Sequence, residues 1–139
     1  MKTLKLRNTD IAELGNVLNV ELSFERSRAR NDFVKETILP ALEAIHIKRT
    51  AILTTHATKG EDGKPTIVNG QYDFTPEALE KAETEYKALQ GEFTELEIND
   101  NVAQHLETIK NIITNDDKKL GVEQSVVLGR IVDAIELIK

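Results

Sequence analysis

The only imidazoles in the chain are His46, His56 and His105. Glu43 and His46 stand three apart, so on a helix both side chains leave the same face. A Glu-x-x-His pair of this kind supplies ligands in di-iron helical bundles, where a second such pair and two further carboxylates complete the site. No second Glu-x-x-His occurs here. The plainer reading is a surface pair beside an apolar stripe, and no metal or other cofactor is expected. Ser23, Ser27 and Ser125 lie outside any Gly-x-Ser-x-Gly elbow, and neither the Walker phosphate loop nor Gly-x-Gly-x-x-Gly is present. Glu61-Asp62-Gly63 lacks the spaced oxygens of a calcium loop. Without cysteine there is no thiol nucleophile, thiolate ligand or disulfide. Among 24 acidic residues, carboxylate pairs arise by number alone, and four Phe, two Tyr and no Trp do not suggest an aromatic-lined cleft. The expectation is a binding protein and not an enzyme.

The densest basic feature is Arg26, Arg28 and Arg30, within Ser23–Phe33. In an extended segment they share one face; in a helix they fan around the axis. Arginine forks suit carboxylate and phosphate, so the three are candidate contacts for an acidic partner. The alternative is internal pairing with the acidic second half. Net charge is −6, unevenly spread. Residues 1–57 hold nine Lys/Arg against seven Asp/Glu, about +2, and residues 58–139 hold nine against 17, about −8. That balance argues against nucleic acid as the partner, because backbone affinity needs concentrated positive charge, and leaves only a weak contact through Arg26, Arg28 and Arg30. The dipolar layout permits self-association.

The elements that would position these groups follow from periodicity. Residues 3–7 alternate apolar and polar and predict a strand, with 93–98 as its partner. Asn8 and Thr9 are cap types, Asp10 suits a first turn, and Ile11, Leu14 and Leu18 predict a helix over about 9–19. Val20, Leu22 and Phe24 alternate with polar residues, which predicts a kink or an extended link. Val34, Ile38, Ala41, Ile45 and Ile52 then form a coiled-coil-like stripe to about residue 57, bent near 36–40 by Pro40. Gly60, Gly63 and Pro65 break the helix, and Asn69-Gly70 between β-favouring residues predicts a hairpin. Thr75-Pro76-Glu77 starts a helix striped by Leu79, Ala82, Tyr86 and Leu89 and ended by Gly91. It is long enough to fold back antiparallel. Asn99-Asp100 caps a helix carrying Val102, Leu106, Ile109 and Ile113, ended by Asn115-Asp116-Asp117. The last helix, about 121–138, has a wide apolar arc, from which Val127, Ile131, Ile135 and Ile138 are candidate partner contacts.

The expected fold is mainly α with a small β component, in a single domain over 1–139. It comprises a long antiparallel helical hairpin over about 24–91 with tip loop 58–74, a two-stranded piece, and a C-terminal helical pair over 99–139. No stretch approaches the roughly 20 apolar residues of a membrane span, so no membrane partner is expected.

The ordering also resembles a known family. A short strand and an early Asn lead into Leu-rich turns, then Leu22-Ser23 with Arg26, Arg28 and Phe33-Val34-Lys35. The long helix, the Gly-Glu-Asp-Gly-Lys loop with Gln71-Tyr72, a Glu-rich return helix and Glu95-Leu96-Glu97-Ile98 follow. This is similar to a family of small tailed-bacteriophage proteins known mainly as a domain of unknown function, over about residues 3–98. The resemblance implies a phage protein in the host cytoplasm or the virion. It hints at virion assembly; the apolar stripes and split charge add self-association or contact with another phage protein, and the small, acidic, helical character leaves modulation of a host protein as the alternative. It supplies no catalytic residue.

Overall fold

Lys2–Arg7 forms β1, and the chain passes directly into α1, Asn8–Val17. The computed structural model describes residues 2–115 and 120–138. β1 pairs antiparallel with β4, Phe93–Ile98, in a register that sets Leu4 opposite Leu96 and Lys5 opposite Glu95. One face of this ribbon buries Leu4, Leu6, Leu96 and Ile98. On the other, the cations of Lys5 and Arg7 lie 5.1 and 5.5 Å from the centre of the Phe93 ring. The strand pairing expected from alternation is therefore present.

The entry to α1 departs from expectation. Arg7 holds the cap position with no side-chain bond, and Asn8 is instead buried, accepting from the Thr94 hydroxyl across the ribbon. A cap-type side chain facing the core finds a better partner there than its own helix end, because a buried amide left unbonded is costly.

After a non-helical link, α2 runs Phe24–Phe33 and continues through a π-helical turn, Val34–Ile38, into α3, Leu39–His56. Where a bend was expected, near Pro40, the helix carries this π turn. Leu39 N–H donates to the Val34 carbonyl, five residues back, and the wider turn makes room ahead of a ring that has no N–H of its own.

The contacts divide the chain into two compact units, one of residues up to Glu43 together with Phe93 onward, the other Ala44–Glu92. The long helix that begins at Phe24 thus contributes to both units. Phe33, Ile38 and Ala41 are buried in the first unit, so the early part of the long helix belongs to that core.

The second unit contains the rest of α3, the hairpin β2 Ile67–Val68 and β3 Gln71–Tyr72, and α4, Pro76–Gly91. Asn69 and Gly70 have φ of 52° and 79°, as a two-residue hairpin turn requires. Thr75 accepts from Ala78 N–H at 3.2 Å with Pro76 at the first helical position, so α4 starts as its sequence predicts. The His56–Glu85 pair at 2.8 Å and Arg49 stacked 5.5 Å over Tyr86 join α3 to α4.

In the first unit, Asn99 caps α5, Asp100–Ala103, at 2.9 Å. The single helix expected here is two: His105 N–H turns back to the Val102 carbonyl at 2.9 Å, and α6 then runs Leu106–Ile113. Asp116 and Asp117, expected beyond its end, lie outside the described residues. The final helix is α7, Val122–Ile138.

Candidate functional site

Just past α1 the chain turns, with Val20 N–H donating to the Leu18 carbonyl at 3.0 Å, and one side chain from α2 reaches this end. Arg30, from α2, donates through Nη1 to the Leu18 carbonyl at 2.6 Å and the Val20 carbonyl at 2.9 Å. Its Nε donates to Asn31 Oδ1 at 2.7 Å. All three acceptors are neutral. The guanidinium is thus held by neutral groups, and among the described residues no carboxylate pairs with it.

Arg30 stands at one end of a groove of about 640 Å³ in the first unit. One wall is α1, with Ala12, Gly15, Asn16 and Asn19. The opposite wall is the run through the π turn, with Val34, Lys35 and Ile38 followed by Leu39 and Leu42. Gly15 leaves the floor low: a Cβ there would meet only Ile38 and Leu42 at 3.8 Å. Leu39 is 54 % exposed on the rim. Among the described residues no acid lines the groove, although acids outnumber bases in the chain.

The three arginines singled out in the sequence are not one patch. Arg28 lies 5.7 Å over the Phe24 ring, Arg26 is half-buried, and only Arg30 enters the groove. Among the described residues none of them forms an ion pair; Arg30 bonds main-chain carbonyls and an amide, and Arg28 stacks on a ring.

The α7 candidates also separate. Ile131 and Ile135 are fully buried, because α1, β1 and α6 of the same chain cover this helix. Their expected role at a partner surface is corrected to core packing. Val127 and Ile138 are half-exposed, while Val122 and Leu137, not singled out beforehand, are 82 and 87 % exposed.

Glu43 and His46 are both exposed on α3. His105 meets Asp32 at 3.2 Å, and Asn101 beside it donates to Glu36 at 2.7 Å. Among the described residues no group of three or more His, Asp or Glu is placed to hold a metal ion. Nor, among the described residues, is any helix long and apolar enough to cross a membrane.

The second unit has its own cleft, about 650 Å³, where Tyr72 and Phe74 stand with Leu53, Leu79 and Arg49. Composition alone gave no hint of it, because six rings in the whole chain are few and their gathering depends on the hairpin. Sequence reasoning also missed Lys35, Leu39 and Leu42 of the groove. Lys35, Leu39 and Leu42 step by four and three beside the first stripe, and that spacing was the available signal.

Comparison with protein-family models, with curated proteins and with solved structures finds no match to this chain.

Proposed function

We propose that this chain is a non-catalytic, self-associating protein that works through contacts with other polypeptide. The observation that carries the reading is the thin core of the second unit. Of its described side chains only Ala57, Ala82 and Leu89 are buried apolar residues. Ile47 and Ile67 are each 63 % exposed, Val68 52 % and Leu79 42 %. A helical hairpin gains most of its stability from packing, and one that covers this little is marginal by itself. Full burial of an aliphatic side chain contributes about 1.5–3 kcal/mol, so covering these four by a second chain supplies what the unit lacks. The basic first part and acidic second part of the sequence favour the same arrangement.

The resemblance to tailed-bacteriophage proteins supports a setting in virion or tail assembly, in the host cytoplasm or the particle. Mass spectrometry of purified particles tests that setting. The acidic second half favours a second reading, a modulator of a host protein, and a pull-down yielding one stoichiometric host protein would select it.

Size-exclusion chromatography with light scattering tests the central reading. The expected result is an oligomer that Ile47→Asp and Val68→Asp dissociate. A wild-type monomer at tens of micromolar would overturn it.

A further inference from the structure

We propose that the groove between α1 and the α2–α3 run binds an acidic amphipathic helix of a partner polypeptide. Its walls are themselves helical faces. On one, the lining positions step from Arg30 through Val34 and Ile38 to Leu42; on the other, from Ala12 through Gly15 to Asn19. From Arg30 to Leu42 the wall runs twelve residues, roughly 18 Å or three helical turns. Two helices set this way leave a trough that a third helix fills, its apolar stripe against the aliphatic floor. The open shape suits a rod better than a small enclosed ligand.

The charge of the occupant follows from Arg30 and Lys35. Arg30 is immobilised by neutral acceptors, and the negative end of the α1 dipole holds it without cancelling its charge. Its Nη2 makes no bond to a described residue and is free to donate. Lys35 is exposed on the same wall, and among the described residues no acid lines the groove to compete. Carboxylates flanking an apolar stripe meet both cations, and a fixed fork loses little freedom in binding them. A basic helix would set its cations against Arg30 and Lys35.

This site is separate from the self-association surface, and the test keeps the two apart. The probe is a fluorescein-labelled peptide of about four turns, with leucines at heptad a and d positions and glutamates on the flanks. Fluorescence anisotropy with the full chain is expected to show micromolar binding, about tenfold weaker with the lysine-for-glutamate peptide. Lys35→Glu and Leu39→Asp, both at exposed side chains, are each expected to weaken binding about tenfold while leaving the oligomer mass unchanged. Arg30→Gln is expected to weaken it further; if loss of the Leu18 and Val20 bonds unfolds that variant, the other two decide. Equal binding of both peptides, no binding at millimolar protein, or indifference to Lys35→Glu and Leu39→Asp would overturn the proposal. So would displacement of the peptide by phosphatidylglycerol vesicles, which assigns the groove to a lipid surface, or a fall in oligomer mass in Leu39→Asp, which assigns it to a second copy.

Discussion

Asp10 and Arg130, 120 residues apart, meet in a forked pair: Nε to Oδ2 at 3.1 Å and Nη2 to Oδ1 at 2.8 Å. The Asp10 side chain is 3 % exposed and that of Arg130 41 %. The pair joins the first turn of α1 to α7. Removing the arginine leaves a carboxylate buried without its cation, whereas removing the carboxylate charge leaves an arginine that water can reach. Thermal melts are therefore expected to rank Arg130→Gln as more destabilising than Asp10→Asn, with the double variant recovering part of the loss.

The pair also has a pH signature. Its hydrogen bond and charge from Asp10 raise the Arg130 guanidinium above its ordinary range. A cation with a raised folded value stabilises at every pH below its unfolded value and loses that contribution only as pH rises through the folded one. The difference in melting temperature between wild type and Arg130→Gln is therefore expected to stay constant from about pH 7 to about pH 10. A gap that closes over that span would contradict the assignment.

Thr37 lies in the π turn, buried, and its hydroxyl has no hydrogen-bond partner among the described residues. Valine keeps the shape and removes the unsatisfied group. Thr37→Val is expected to stabilise by about 1 kcal/mol. For a chain of this size that raises the melting temperature by about 3–5 °C in calorimetry.

Two glycines give opposite predictions. Gly129 lies inside α7 with open space where a Cβ would go. Gly129→Ala is expected to stabilise by about 0.5–1 kcal/mol, because alanine has less backbone freedom to lose. Gly70 also has open space, but its φ of 79° strains any L side chain. Gly70→Ala is expected to cost about 1–2 kcal/mol in urea melts.

Hydrogen exchange tests the uneven distribution of the core. The first unit buries Phe33, Ile109, Ile131, Ile135 and many other apolar side chains, against the three of Ala44–Glu92. At low concentration, amides of α4 are expected to exchange faster than those of α6 and α7. Equal protection in the dilute protein would contradict a thin core there.

Much of the fold was legible because it rests on local chemistry. Alternation in Thr3–Arg7 and Phe93–Ile98 identified β1 and β4, Asn69-Gly70 the hairpin turn, and Thr75-Pro76 the start of α4, since each depends on preferences within a few residues. Pro40 announced a disturbance in the long helix, though not its π geometry.

What only the tertiary structure decided is which neighbour each side chain meets. A wide apolar arc on α7 reads the same whether its own chain or another covers it; α1, β1 and α6 bury Ile131 and Ile135 and leave Val122 and Leu137 outside. Arg26, Arg28 and Arg30 look alike in sequence, yet only Arg30 reaches the end of α1 and a groove. Periodicity measures the width of a helix's apolar face, but burial is a property of two surfaces, and the second surface here comes from residues far along the chain.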